Sequence, residues 1–153
     1  MSKLYFAYGS NLNKSQMALR SPTAKALGSA YFPNWRLVFR GVADIEHGDE
    51  QDLLPVGIWR IEEADEAALD RYEGVSSGLY RKVEINGMLT YRMNSSGTYS
   101  PSRQYFDTIL DGYRDFALDT SELFNARDNA GFEEDQRLSL IHISEPTDRT
   151  RSR

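Results

Sequence analysis

The alternation of apolar and polar positions predicts that β-strands dominate this chain. Strand patterns, rich in β-branched and aromatic residues, are bounded by turn-forming residues. The predicted strands span residues 4–8, 35–40, 53–61, 79–85 and 88–93. Asn86-Gly87 separates the last two strands and is the strongest two-residue hairpin signal in the sequence. Several strands are therefore predicted to be antiparallel.

Helical patterns are shorter and lie between the strands. Helices are predicted at residues 14–19 and 62–71, and again from Tyr105 to Ala117. Residues 25–32 form a mixed segment, 41–52 an acidic loop without the ligand spacing of a calcium site, and 94–102 a flexible loop. These elements predict an α+β domain with a small mixed, mostly antiparallel β-barrel and short flanking helices.

Composition and charge narrow the classes of function. The 153 residues carry a formal net charge of -5 with both signs mixed, which disfavours binding to nucleic acid or anionic membranes. No cysteine is present, which excludes disulfides and thiolate catalysis, and His47 and His142 lie too far apart to predict a metal site. Without a long apolar run or a signal-peptide pattern, the predicted compartment is the cytoplasm.

The C-terminal segment differs from the rest of the chain. Its sequence LSLIHISEPT, residues 138–147, is similar to the translation of a transposase adapter used in DNA sequencing libraries. We therefore predict a single domain over residues 1–137 and a non-native tail over residues 138–153. On this interpretation His142 has no functional role.

The first strand runs directly into Gly9-Ser10-Asn11, a turn-forming triplet followed by a helical pattern. A strand-turn-helix junction of this kind leaves backbone N–H groups unpaired, and such groups can hold an anion or a developing oxyanion. The alternative is a plain tight turn in which Ser10 or Asn11 caps the next helix.

Glu73 is the second candidate for a functional residue. It ends a predicted helix between Tyr72 and Gly74, where the helix dipole disfavours a negative charge. Partial burial beside Tyr72 would also favour proton uptake and make the carboxylate a better base. The alternative is a surface glutamate that merely precedes a C-capping glycine.

Together, these segments resemble the γ-glutamylcyclotransferase family (AIG2-like). The matching segments are YFAYGSNL at 5–12, RSPTA at 20–24, PVGIWRI at 55–61, LDRYEGVSSGLYRKVEI at 69–85 and PSRQY at 101–105. The resemblance implies a compact barrel with a cavity beside the Gly9-Ser10-Asn11 turn and Glu73 as the catalytic acid/base. It assigns substrate contacts to six residues at the turn and two later tyrosines: Tyr5, Phe6, Ala7, Tyr8, Gly9, Ser10, Tyr80 and Tyr105.

The resemblance also implies a reaction. A γ-glutamyl amino acid or peptide would cyclise to 5-oxoproline and release the free amine or amino acid, with no cofactor and no metal, because the substrate's own α-amino group is the nucleophile. The implied partner is this small molecule, with neither nucleic acid nor membrane, and the protein would be a monomer or homodimer. The alternatives are a cyclotransferase for γ-glutamylamines or a specialised γ-glutamyl intermediate, and a non-catalytic module that binds a small ligand.

Overall fold

A computed structural model describes residues 1–130 of the chain. Seven strands and four helices occur in this range. The strands are β1 (Lys3–Ala7), β2 (Lys25–Pro33), β3 (Trp35–Arg40), β4 (Val42–His47), β5 (Leu53–Ile61), β6 (Tyr80–Ile85) and β7 (Met88–Met93). The helices are α1 (Lys14–Arg20), α2 (Glu63–Tyr72), α3 (Arg103–Asp115) and α4 (121–130), and Ser10–Leu12 forms a 3₁₀ turn. The predicted boundary at residue 137 and the predicted tail 138–153 lie outside the described residues and stay predictions.

The fold class is α+β with a mostly antiparallel sheet, as predicted. Five strands form one sheet in the order β2-β5-β1-β7-β6, in which only the β1–β7 pair is parallel, and β3 and β4 form a separate hairpin. The hairpin contacts the large sheet through β3 against β5 and β4 against β7. Within the described residues the strands therefore curl around a shared core without closing into one continuous barrel.

The hairpin predicted at Asn86-Gly87 is confirmed. Strands β6 and β7 pair antiparallel up to Ile85 and Met88, and the two turn residues have positive φ values of 53° and 78°. Two positive φ angles in succession define the turn type that matches the twist of the flanking strands. Asparagine and glycine adopt this conformation at the least cost, which is why the local sequence was informative.

The acidic loop predicted at residues 41–52 is wrong for its first half, because Val42–His47 is strand β4. Asp44 is buried in this strand, with 2% of its surface exposed. Its carboxylate lies 2.8 Å from Arg40 Nε and accepts the Met93 backbone N–H at 2.9 Å. The Arg40 guanidinium and the Met93 N–H offset the cost of burying the Asp44 carboxylate. The acidic composition of residues 41–52 was therefore not evidence that the whole segment is exposed to solvent.

Strand β2 also went unpredicted, since residues 25–32 showed no clear period. Most of its side chains are exposed, and it lies at the edge of the large sheet. Its backbone pairs with β5 from Lys25 to Pro33, with a register shift between Ala26 and Gly28. Backbone pairing, rather than burial of one face, holds this strand in place, and periodicity detects only burial.

The turn after β1 is fixed from two sides. The Trp59 indole N–H donates to the Asn11 carbonyl at 3.1 Å, and the Asn13 side chain caps α1 while donating to the Thr108 carbonyl of α3 at 3.0 Å. Leu12 is fully buried between these elements. Strand β5 and helix α3 thus hold the Gly9-Ser10-Asn11 turn at the end of β1.

Candidate active site

A cavity opens beside the turn that follows β1, with about 440 Å³ of empty space that includes its opening to solvent. The lining combines β1, the turn that follows it, the C-terminal end of α2 and residues of β4, β6, β7 and α3. The lining residues are Tyr5, Tyr8, Gly9, Ser10, Asn11, Ala43, Tyr72, Glu73, Leu79, Tyr80, Thr90, Tyr91 and Tyr105.

Most of the predicted site residues meet in this cavity, but Phe6 and Ala7 do not line it. Phe6 is fully buried on the other side of β1, where its ring packs edge-on against Phe32 with centroids 5.0 Å apart. Ala7 is the last residue of β1 and pairs with Gly57 of β5. Because the chain leaves the strand after Ala7, Tyr8 reaches the same cavity as Tyr5 instead of sharing a face with Phe6.

Glu73 is placed by the way in which helix α2 ends. The N–H of Gly74 bonds to the Arg71 carbonyl at 3.1 Å, and the N–H of Val75 bonds to the Asp70 carbonyl at 3.0 Å. Gly74 has a φ of 66°, so this is a Schellman termination with glycine in the left-handed conformation. Glu73 is the last residue before the reversal, and its side chain is directed into the cavity rather than along the surface.

Asn11 connects Glu73 to the turn. Its Nδ2 donates to Glu73 Oε2 at 3.2 Å and to the Tyr5 hydroxyl at 2.9 Å. Asn11 is buried, with 3% of its surface exposed, whereas Glu73 is partly buried. The carboxylate therefore faces the cavity with one oxygen held by a neutral donor.

The hydroxyl groups of several cavity tyrosines form hydrogen bonds with nearby backbone groups. The Tyr8 hydroxyl donates to the Tyr91 carbonyl, and the Tyr80 hydroxyl donates to the Ala43 carbonyl. The Tyr105 hydroxyl accepts the Ala43 N–H at 3.0 Å. Tyr80 and Tyr105 thus bind both backbone groups of one β4 residue and fix that strand beside the cavity.

The tyrosines at the base of the cavity are neutral at physiological pH. Burial raises the pKa of Tyr5, and the Glu73 carboxylate raises it further. Burial likewise raises the pKa of Tyr8 and of Tyr91, with the hydrogen bond to Asp70 adding to the effect at Tyr91. These hydroxyls keep their protons and can serve as hydrogen-bond donors.

Other cavity residues were not predicted as site residues. Asn11 lies in the turn motif itself and Tyr72 directly precedes Glu73, so sequence position could have indicated both. The Tyr72 hydroxyl and Ser10 Oγ are 2.9 Å apart, which joins α2 to the turn. Thr90 and Tyr91 come from β7, which lies beside β1 through a parallel pairing that no local pattern encodes.

Charge is sparse in the lining. Within residues 1–130, Glu73 is the only charged side chain that lines the cavity. The same residues contain no group of His, Cys, Asp and Glu side chains that could hold a metal ion.

Across this described range, no helix combines the length and apolarity needed to traverse a lipid bilayer. The cytoplasmic location stays a prediction.

Residues 1–130 therefore form an α+β domain in which a tyrosine-lined cavity contains one carboxylate from this part of the chain, that of Glu73. A solved structure described as "Gamma-glutamyl cyclotransferase" has this fold, with a TM-score of 0.70 and 27% identity over 83% of this chain and 87% of that one. The pattern of the family described as "Gamma-glutamyl cyclotransferase, AIG2-like" matches residues 5–106. The chain belongs to this family.

Curated relatives agree with this assignment. The γ-glutamylcyclotransferase of Mus musculus is 30% identical over 75% of this chain and 72% of that protein. The γ-glutamylcyclotransferase of Bos taurus is 29% identical over 76% of this chain and 73% of that protein. The protein is therefore a cyclotransferase, an enzyme of the lyase type.

Gly9 should be required for its small size. A Cβ at this position would lie 3.0 Å from Ala43 Cβ and 3.6 Å from the Tyr105 hydroxyl, and the first distance is shorter than a normal carbon–carbon contact. We expect Gly9→Ala to shift the turn against β4 and to lower kcat/KM on the order of 10-fold. Adding Ala43→Gly to that variant should restore most of the activity. Equal activities for the single and double variants, with Ala43→Gly alone as the control, would contradict a steric origin.

Proposed function

We propose that this protein cyclises γ-glutamyl amino acids or peptides to 5-oxoproline and releases the free amine or amino acid. The observation that carries the proposal is the position of Glu73. It is the only charged side chain in the cavity lining formed by residues 1–130, and it faces the Gly9-Ser10-Asn11 turn. Family membership supports cyclotransferase chemistry in general. Glu73 supplies the proton acceptor that this chemistry needs.

In the proposed reaction the substrate's α-amino nitrogen attacks its own γ-carbonyl carbon. At neutral pH this amine is mostly protonated and cannot attack. The Glu73 carboxylate takes one proton from the ammonium group and later donates it to the departing nitrogen as the old amide bond breaks. The attacking nitrogen loses its second proton to solvent as the new carbon–nitrogen bond forms, and the released amine takes up one proton from solvent. One carboxylate thus acts first as base and then as acid, and no water is consumed.

The turn supplies donors for the substrate's oxygen atoms. Gly9 and Ser10 begin the 3₁₀ turn, and the first N–H groups of a helical turn have no partner within that turn. These groups lie at the cavity wall. They bind either the oxyanion that develops on the γ-carbonyl or the substrate's α-carboxylate.

The tyrosines serve as positioning groups in this proposal. Ring closure requires the glutamyl chain to fold so that its nitrogen meets its own carbonyl carbon, and a rigid cavity supplies that geometry. Tyr5 and Tyr8 are buried and neutral, and Tyr80 and Tyr105 are anchored on Ala43. Phe6 and Ala7 support the turn from outside the cavity.

The charge of the lining favours a second candidate, in which the leaving group is an amine without a carboxylate. A γ-glutamyl amino acid carries a second carboxylate, and no cationic side chain among residues 1–130 lines the cavity. Leu79, which is 43% exposed, adds an apolar surface to the lining. A γ-glutamylamine lacks this second carboxylate and would place one fewer unpaired charge against the lining.

A substrate panel tests the proposal. Purified protein is incubated with γ-glutamylalanine, γ-glutamylphenylalanine, γ-glutamylbutylamine and glutathione, and 5-oxoproline is measured by mass spectrometry. We expect release from at least one γ-glutamyl amino acid or from glutathione. Turnover of the amine alone would favour the second candidate. Binding by calorimetry without turnover of any compound would contradict the proposal and indicate a binding module, and neither binding nor turnover would contradict all of these functions.

A further inference from the structure

Arg20 is connected to Glu73 through two successive hydrogen bonds, both of which involve the Asn11 side chain. Its Nη1 donates to Asn11 Oδ1, and its Nη2 donates to Gln16 Oε1 at 2.8 Å. The guanidinium carbon lies 3.5 Å from the centroid of the Tyr72 ring. Arg20 itself does not line the cavity. It therefore contacts the two residues that flank the carboxylate, one in the turn and one on α2.

The contact between Arg20 and Asn11 determines which end of the Asn11 amide faces Glu73. A guanidinium group only donates hydrogen bonds, so the amide oxygen of Asn11 must face Arg20. The amide NH₂ then faces the Glu73 carboxylate and the Tyr5 hydroxyl, at 3.2 and 2.9 Å. The reversed amide would direct its oxygen at the carboxylate, where two acceptors would repel.

The same orientation assigns a direction to the Tyr5 hydroxyl. This hydroxyl accepts a hydrogen bond from Asn11, so its own proton points away from Asn11. Burial raises the pKa of Tyr5, which therefore keeps that proton. Tyr5 and Glu73 both line the cavity, one as a donor and the other as an acceptor.

We infer that Arg20 is a positioning residue for the reaction proposed above. Through Asn11, it fixes the orientation in which Glu73 presents its proton-accepting oxygen and Tyr5 its proton. The inference rests on the proposed function, because it assigns Arg20 a role in the proton transfer by Glu73. A purely structural role, in which Arg20 only joins α1 to α2 through Tyr72, makes a different prediction.

The pH dependence of kcat separates the two roles. Among residues 1–130, two kinds of titratable group besides Glu73 surround the cavity. Six are tyrosines that line it, namely Tyr5, Tyr8, Tyr72, Tyr80, Tyr91 and Tyr105, and two are the carboxylates of Asp44 and Asp70, which interact with lining tyrosines. A tyrosine ordinarily ionises near pH 10. Asp44 is paired with Arg40, and Asp70 with Lys82. The acid limb of the profile therefore reports on Glu73.

The first variant is Arg20→Met, which keeps an unbranched apolar side chain over Tyr72 but cannot donate to Asn11. We expect kcat to fall by roughly 10- to 100-fold, with KM changed less than ~3-fold. The acid limb should move to higher pH, because Glu73 loses an aligned donor and a nearby positive charge that favour its ionised form. Arg20→Lys keeps the positive charge but lacks the planar guanidinium group with its paired N–H donors. It should recover part of the lost kcat.

A matched control and a second variant complete the test. Arg127 also stacks on aromatic rings, those of Phe106 and Phe124 at 4.8 and 4.9 Å, and Arg127→Met should leave both kcat and the pH profile unchanged. Asn11→Asp keeps the contact with Arg20 but places a second carboxylate against Glu73. This variant should also move the acid limb of the kcat profile to higher pH.

The outcomes are distinct. If Arg20→Met and Asn11→Asp lower the melting temperature but keep the wild-type pH profile and the kcat of the folded fraction, Arg20 is only structural and the inference is wrong. If the unmodified protein releases no 5-oxoproline at any pH, the proposed function fails instead. The inference requires wild-type turnover together with the shifted profiles.

Discussion

Replacing Glu73 by glutamine should lower 5-oxoproline release by roughly 10²–10⁴-fold, which is the contribution expected of a positioned acid/base group. Glutamine has nearly the same shape and can still accept the hydrogen bond that Asn11 donates to Oε2. It cannot take a proton from the substrate's ammonium group. The fold and the affinity for substrate, measured by thermal melting and calorimetry, should change little.

The control for this substitution is on the same helix. Glu63→Gln removes an exposed carboxylate from the first turn of α2 and should leave turnover unchanged. Near-normal activity of Glu73→Gln under conditions where the wild type is active would show that Glu73 is not the acid/base. An equal loss in both variants would indicate an indirect effect of the charge of α2.

The second large effect concerns stability. Alanine in place of a glycine within a helix ordinarily stabilises a protein by about 0.5–1 kcal/mol. At Gly112 of α3 we expect the opposite sign, because a Cβ there would lie 2.6 Å from both the backbone carbonyl carbon and the Cβ of Leu12. The backbone of the turn would have to move. We expect Gly112→Ala to lower the free energy of unfolding by about 1–3 kcal/mol, as overpacked cores do.

Denaturant unfolding measures this effect directly. Asp111→Ala, at the neighbouring exposed position of the same helix, should change the free energy of unfolding far less. Because α3 holds the turn that carries Gly9 and Asn11, Gly112→Ala should also lower kcat/KM in the fraction that remains folded. A stabilised Gly112→Ala protein would show that α3 and the turn are not in close contact.

The sequence was informative wherever function and structure depend on local chemistry. The Asn86-Gly87 hairpin, strand β5 and the end of α2 at Glu73-Gly74 each follow from residues adjacent in the chain. The Gly9-Ser10-Asn11 turn and Glu73 could be brought together only by the resemblance, because no local pattern predicts that Asn11 bonds to Glu73 across 62 positions.

Contacts that depend on tertiary structure escaped prediction for a physical reason. The burial of Asp44 requires Arg40 on the paired strand and the Met93 N–H from β7, so the sequence around residue 44 showed only acidic composition. Arg20 was noted only within the segment RSPTA, which carries the resemblance, and no role was predicted for it. Its proposed role depends on the packing of α1 against α2, which places its guanidinium over Tyr72.

Isotope labelling tests the central claim of intramolecular cyclisation most directly. A substrate of the panel that turns over is prepared with ¹⁵N in its α-amino group and incubated in ¹⁸O-enriched water, and the products are analysed by mass spectrometry. Attack by the substrate's own amine predicts 5-oxoproline that contains the ¹⁵N and no ¹⁸O, together with an unlabelled leaving amine. Glutamate carrying ¹⁸O would show that water is the nucleophile and would contradict the account.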